Sequence, residues 1–517
     1  MFSWPSAGFD PEVRMWRPDL RSSFAGMAIF ALGACGGHTP GSTVPSVPMQ
    51  FQRAQNAGES GPVVYTLGDG GANASTLWDL RLGADGKLYW STNPALSGCP
   101  WPTSGEVGNF DVSTHAQTYR TVSYGPSFIQ ETSNGSVWVE EWNNASGTPT
   151  IDRYAGIGGA DTAISIPIGP FSPGCGQGYF GNGIDGGTAL GADGAVWFGS
   201  SNSPQIGEIN QTNNAVSVYT LNTPAGGSPP SPQYMTLGSD KHIWLTDAFN
   251  DAVFRVATTG TSKGANTYAF LPEHSFFYQP TGITSGSDKR IYAGSFDFSV
   301  NPFTGAMASS AADAAPAFTS ISLPLNVAPT QEQYGSVSGK VYFGDLRFFA
   351  LGVYDTSTHT LVMLPTVNYA GLSGIAVDKS GATWLSCYTP AGVACVERFA
   401  LTSTWAVYPS TKINLYTQDL YGNPLPPGLI GIGETGNSGP FTVASSNAKV
   451  CTAAVISGFD HNIQVNPVAA GKCTLSVTDA HARTVKVFAT VINGSGNPQA
   501  HVHRIGSGTV FREVLRQ

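Results

Sequence analysis

Three carboxylates, Glu141, Asp247 and Asp345, each stand three residues beyond the aromatic residue of a hairpin that this chain repeats. The other copies carry Thr92, Ser200, Ser295 and Cys387 at that place. Hard cations take oxygen ligands, so acids converging on one cleft would hold Mg²⁺ or Ca²⁺. The alternative is local: a carboxylate at a strand end accepts backbone N–H groups and pins its own loop. One histidine has an acid beside it just before a strand, Glu273-His274, and an imidazole so placed is the side chain to look to for proton abstraction. Trp142, Tyr234, Phe276, Phe277 and Tyr278 would make an aromatic platform for a hydrophobic ligand or a sugar, or would simply pack between sheets. G-x-S-x-G, P-loop and dinucleotide fingerprints are absent.

The element that must position these residues runs from Thr188 to Leu221. It holds an apolar pair, an Asp193-Gly194 turn, the strand Val196-Trp197-Phe198, a third strand at Ile206-Gly-Glu-Ile209 and a fourth ending at Leu221. Asp-Gly between β-rich runs is a hairpin signal because the tight turn needs φ > 0. The turn-plus-aromatic piece recurs at Gly83–Trp90, Thr132–Val139, Gly238–Leu245, Gly286–Ala293, Ser336–Phe343 and Val377–Leu385. Copies roughly 40 to 60 residues apart are the spacing of propeller blades, and seven copies predict a seven-bladed ring. Gly61 to Leu67 (GPVVYTL) reads as an outer strand without a blade of its own, able to close the ring and hide a sheet edge. Trp405–Pro409 competes for that place. Gly156–Gly187, Asn222–Pro232 and Val300–Phe318 read as insertions.

Charged residues make up only 11% of 517 and the net charge is −9. With no basic run, nucleic acid is excluded as a partner. Arg14, Arg17 and Arg21 precede a short apolar run that ends Leu32-Gly-Ala-Cys35, the layout of an export signal. Small residues before a cysteine resemble the bacterial lipobox, which implies cleavage and lipid attachment at Cys35. The alternative is a plain signal peptide with an incidental cysteine. This reading divides the chain into a signal at 1–35, a tether at 36–60, the propeller at 61–410, a second module at 411–492 and a tail at 493–517. It places a monomer in the cell envelope, on the extracytoplasmic side, with lipid as its only membrane contact. The six remaining cysteines are even in number, as export to an oxidising compartment favours. Cys451 with Cys473 and Cys387 with Cys395 are the expected pairs, and Cys99 with Cys175 follows by elimination.

From about Lys412 the repeat gives way to short alternating strands with turn residues between them, the pattern of a β-sandwich. FTVASSNAKVCTAAV and NPVAAGKCTLSVTDAHARTVKVFATV resemble bacterial immunoglobulin-like modules, which implies a spacer or adhesive unit. The fold class is therefore all-β, a seven-bladed propeller followed by a small immunoglobulin-like sandwich.

The blade pattern turn–Gly–x–aromatic, Ile-Gly-x-Ile and Val-x-x-Tyr-x-Leu resembles the virginiamycin B (streptogramin B) lyases, over about Gly61 to Ser410. ADGAVWFGSS…PQIGEI and LGSDKHIWLTDAFNDAVFRV carry it best, with Leu-Pro endings at 271–272, 323–324 and 364–365. The resemblance implies ring-opening of a cyclic depsipeptide by elimination, with a histidine base and a Mg²⁺ ion held with the help of carboxylates. Carried over residue by residue, the base is His274 with Glu273, and the acids at the family's W-F-T-E position are Glu141, Asp247 and Asp345. Segments that would cross the central face, Pro232–Met235, Pro280–Ile283 and Leu372–Ile375, hold no histidine. Two functions follow from these readings. One is a divalent-cation-dependent lyase acting on a small cyclic peptide. The other is a non-catalytic surface propeller binding a peptide, glycan or cell-wall ligand, with Trp142, Tyr234 and Tyr278 as contacts.

Overall fold

A computed structural model describes residues 63–495 apart from 69–74, 95–103, 123–124, 143–149, 169–186, 201–202, 248, 273–277, 298–303, 325–326, 331–338, 346–347, 349, 367–368, 389–392, 402–404, 410–411, 419–426 and 437. The described strands form nine four-stranded sheets. Seven of them follow one another along the chain as blades of antiparallel strands, consecutive in sequence except for the outer strand of blade 7. The first, innermost strands of the blades are Ser75–Leu82, Gly125–Glu131, Thr188–Leu190, Pro232–Leu237, Tyr278–Ser285, Pro329–Thr330 and Tyr369–Val377. Each blade's inner strands pack against those of the next, and blade 7 packs against blade 1. The ring is closed by Val63–Thr66, which pairs antiparallel with Ala394–Phe399 as the outer strand of blade 7. Its rival, Ala406–Tyr408, goes instead to the second module, where it pairs with Gly428–Gly433.

The repeated turn and aromatic have one physical explanation. Asp85, Asp193, Asp240, Asp288 and Asp378 each accept the backbone N–H two residues on, which sets the turn. In four of them a carboxylate oxygen also takes the polar tip of the strand aromatic: Tyr89 Oη (3.0 Å), Trp244 Nε1 (3.0 Å), Tyr292 Oη (2.6 Å) and Trp384 Nε1 (2.9 Å). That bond lets an amphipathic ring be buried between blades in those four; all seven aromatics of the repeat are at most 5% exposed, Trp138 and Trp197 without a hydrogen-bond partner at Nε1 among the described residues. The glycine of Ile-Gly-x-Ile has a matching reason. A Cβ on Gly207 would lie 2.2 Å from the ring of Phe198 on the neighbouring strand.

Two of the stretches read as insertions contain blade strands. Asp161–Ser165 is the outer strand of blade 2, and Thr304–Ala311 is the third strand of blade 5. Each has a single large apolar residue, Ile164 or Met307, among small and polar ones, so the apolar alternation that marks other strands is missing there.

The two remaining sheets pack face to face as a sandwich around Trp405, Leu415, Ile430, Ile463, Leu475 and Val487. One holds Ala406–Tyr408, Gly428–Gly433, Phe459–Pro467 and Cys451–Ile456. The other holds Lys412–Gln418, Thr484–Ser495, Gly471–Thr478 and Thr442–Ser445, the first two running parallel. The Cys451–Cys473 disulfide joins the two sheets. The Cys387–Cys395 bridge links directly opposed residues of two adjacent strands in blade 7. Both were expected, and both suit an oxidising compartment. Cys35, Cys99 and Cys175 lie outside the described residues.

The sandwich is seated on blade 6. Leu429, Ile456 and Phe459 join the apolar cluster of Met363, Leu361 and Phe343. The Asn462 amide completes the contact, accepting from Met363 N (3.2 Å) and donating to Met363 O (2.9 Å). It thereby satisfies both backbone groups of an outer-strand residue that would otherwise face an open sheet edge.

Candidate functional site at the propeller axis

The inner strands of blades 1, 2, 4 and 5 carry a β-bulge at the same level, and blade 7 has a larger irregularity there. In blade 2 the register moves from Pro126 opposite Glu141 to Ile129 opposite Val139, so Ser127 and Phe128 together face Glu140. Blade 4 repeats this, with Gln233 and Tyr234 facing Thr246 between Pro232–Asp247 and Met235–Leu245. Blade 1 skips Trp78 between Leu77 and Asp79. A bulge adds one residue and re-aims a side chain, and bulges are enriched beside functional sites. Here the result is direct: the rings of Phe128 and Tyr234 meet edge to face, centroids 5.7 Å apart. Blade 3 separates their blades in the ring, so this pair joins two blades that are not neighbours.

Arg81 does the same with charge. From blade 1 its Nη1 donates to Gln130 Oε1 of blade 2 (3.0 Å) and to the Thr188 carbonyl of blade 3 (2.6 Å). Its guanidinium carbon lies 6.0 Å from the Phe128 ring centroid. Asp79 anchors it through Arg81 Nε (2.8 Å), while also accepting Ile129 N (3.0 Å) and Leu80 N (2.9 Å). Burial pushes the Asp79 carboxyl above its ordinary value, against the opposing pull of Arg81 and the two N–H groups. Arg81, Gln130 and Tyr234 are only half-buried, so the cluster presents a cation, an amide and a ring edge to whatever lies on the axis. Those groups can hold a carbonyl-rich or anionic ligand by hydrogen bonds and its apolar part by ring contact.

The acids lie at the same end of the strands and are engaged in backbone anchoring. Asp247 accepts Ser231 N (2.8 Å), Phe249 N (3.1 Å) and Asn250 Nδ2 (2.5 Å), and burial raises its pKa against those donors. Asp345 accepts Ala328 N (2.7 Å) and Phe348 N (2.6 Å). In both blades the opposed residue is a proline, Pro232 or Pro329, which has no N–H. The acid reaches past it to the preceding N–H and to the loop after its own strand, tying two loops with one carboxylate. Pro126 opposes Glu141 in the same register, but the Glu141 side chain lies outside the described residues. So do the side chains of Trp142 and Tyr278 and all of Glu273, His274, Phe276 and Phe277. Of the expected site residues, Tyr234 is therefore the one whose side chain is seen on the axis. Among the described residues no group of three or more His, Cys, Asp or Glu side chains stands close enough to share a metal ion.

Sequence reasoning missed Arg81, Asp79, Gln130 and Phe128. One signal was available: Pro126-Ser-Phe128 and Pro232-Gln-Tyr234 share Pro-x-aromatic at the same place in two blades.

No protein-family model matches the chain, and no curated protein does. Solved structures similar to it include a streptogramin B lyase, at 20% identity over 65% of this chain and 97% of that one, with a TM-score of 0.48. A catalytically inactive virginiamycin B lyase from Staphylococcus aureus, solved with quinupristin, matches at 18% identity over 66% of this chain and all of that one, TM-score 0.49. The β-propeller domain of the trilobed protease from Pyrococcus furiosus matches at 10% identity over 60% of this chain and 91% of that one, TM-score 0.40. The likeness is one of fold.

Proposed function

We propose that this chain is a cell-envelope binding propeller, attached by lipid at Cys35, that takes a peptide-like or glycan ligand at the axial end of its ring. What carries the reading is the cluster of Arg81, Gln130, Phe128 and Tyr234, the two rings borne on β-bulges, which offers binding groups near the centre of the ring. The backbone bonds of Asp247 and Asp345 point the same way, because carboxylates occupied in this manner do not act as a shared metal clamp, and no step through a Mg²⁺ or Ca²⁺ ion is derived. The elimination reading, with His274 as base and Glu273 beside it, draws on the blade-motif resemblance.

One experiment separates the two. Purified full chain carrying Cys35→Ser is incubated with a streptogramin B, with and without Mg²⁺, and followed by calorimetry and mass spectrometry; peptidoglycan fragments are titrated in parallel. Binding of either probe without ring-opening, weakened about tenfold or more by Tyr234→Ala, is the expected result. A linear product, formed only with Mg²⁺ and lost in His274→Ala, overturns it in favour of the lyase. Absence of binding to both probes overturns the ligand class proposed here.

A further inference from the structure

We infer that the outer face of the sandwich's distal sheet docks on an anionic phospholipid surface. The sheet made of Lys412–Gln418, Thr484–Ser495, Gly471–Thr478 and Thr442–Ser445 turns one face to the sandwich core. The companion sheet is the one seated on blade 6, so this sheet's other face points away from the propeller. Alternation along Thr484–Ser495 buries Val487, Ala489 and Val491 and puts Lys486, Phe488, Thr490 and Ile492 outside. Phe488 is 53% exposed and Ile492 36%, two of the few large apolar side chains so exposed among the described residues.

Cations surround that phenyl ring. Lys412 is directly opposite Phe488 on one neighbouring strand. Lys472 is its diagonal neighbour on the other, opposite Thr490, and Lys486 is two residues along the same strand. All three lysines are exposed, and among the described residues the ion pairs of lysine involve Lys87 and Lys263 instead. The four strands contain no Asp or Glu, in a chain whose net charge is −9.

Charge selects the occupant. A second copy would bring lysines against lysines. The segment after the sandwich carries Arg504, Arg512 and Arg516 against a single Glu513, so it is also repelled. An anionic bilayer complements the face in both respects, since lysines near its surface are attracted to the headgroups and an aromatic side chain inserts at the headgroup level. Lysine, a mobile point charge, suits that diffuse field, where a specific anion would call for the arginine fork. The docking does not depend on the lipid at Cys35 or on any ligand at the axis.

The test uses the full chain with Cys35→Ser, so that no acyl chain contributes. Co-sedimentation is measured with vesicles of phosphatidylglycerol mixed into phosphatidylcholine and with pure phosphatidylcholine vesicles, alongside soluble dextran sulfate. Binding to the phosphatidylglycerol vesicles only, weakened by salt, is expected. Each Lys→Ser change at 412, 472 or 486 should weaken it about fivefold and all three together roughly 100-fold. Phe488→Ser should cost about tenfold, with thermal unfolding unchanged because the sites are exposed. Equal binding to both vesicle types, insensitivity to the triple variant, or capture by dextran sulfate without vesicle binding would each overturn the inference.

Discussion

Asp345→Asn distinguishes a structural acid from a metal-binding one. In the native protein both carboxylate oxygens of this fully buried residue accept backbone N–H groups, Ala328 N at 2.7 Å and Phe348 N at 2.6 Å. Asparagine keeps the shape but only one oxygen, so its amide must turn N–H toward one of the two donors. That donor is left unsatisfied in a dry site, which costs about 1–3 kcal/mol, and the other bond weakens because its acceptor is no longer charged. The expected loss is about 2–3 kcal/mol. For a chain of this size that lowers the calorimetric midpoint by roughly 2–3 °C. Asp345→Ala, which orphans both donors, should cost about twice as much. The assay is scanning calorimetry of wild type and both variants with added MgCl₂ and with EDTA. If the backbone account holds, the loss is the same in either buffer. If instead wild type is stabilised by Mg²⁺, and Asp345→Asn abolishes that gain without lowering the midpoint in EDTA, the acid is a ligand and the argument fails.

Further outcomes follow from other contacts. Asn462→Ala removes both hydrogen bonds to Met363, and should cost about 2 kcal/mol at the junction and split one calorimetric transition into separate sandwich and propeller steps; a single unsplit transition would count against a fixed seat. His115 sits against the ring-closing strand, its Nε2 3.2 Å from Tyr65 Oη, with Arg398 and Asp111 the charged groups facing it. Burial, and then Arg398, lower its pKa, so its contribution is complete above the ordinary histidine value and lost as pH falls through the lowered one; the hydrogen-exchange protection factors of residues 63–66, referred to the intrinsic rate at each pH, should fall on acidification, and His115→Asn, tolerated at a φ of 61°, should remove that dependence. Asp152 is buried and pushed up to about 6 by burial, then by Asp161. A raised carboxyl contributes stability only below its unfolded value and loses it as pH rises through 6. Asp152→Asn should therefore stabilise the protein more at pH 8 than at pH 5, by about 1–2 kcal/mol once solvent around the exposed Asp161 is allowed for, as urea unfolding would measure.

The ring was legible because its signature is local. Asp240 and Trp244 lie four residues apart and bond to each other, so turn and core are written into one short window and repeated. Ring closure could be narrowed to two candidates, the stretch before blade 1 and Trp405–Pro409, and pairing in the structure chose Val63–Thr66. The missed strand Thr304–Ala311 shows the limit: Thr-Gly-Ala-Met-Ala-Ser-Ser-Ala is held by pairing with Arg290–Asp297, and its own side chains say little. Sequence exposed the alternatives for the acids but could not choose between them. The donors that engage Asp247 come from Ser231, sixteen residues back, and from the loop that follows its own strand.

The axis was the least legible part, for a reason intrinsic to propellers. Everything that makes blades alike serves packing between neighbours, and so repeats; a site at the centre must break that sameness. Arg81 reaches a carbonyl 107 residues away, and Phe128 meets Tyr234 across an intervening blade. The first leaves no periodic trace, and the second only the Pro-x-aromatic shared by two blades. What precedes both is a single added residue in the inner strand, invisible to a count of apolar positions yet sufficient to change which way a side chain points. Specificity on this scaffold is thus set by which side chains its bulges carry, and the shared blade motif is silent about it. Deleting one residue from Ser127-Phe128 to restore regular pairing should leave a folded ring, by circular dichroism, with the ring contact to Tyr234 lost. If axial ligand binding survived that deletion unchanged, the link drawn here between bulge and site would be broken.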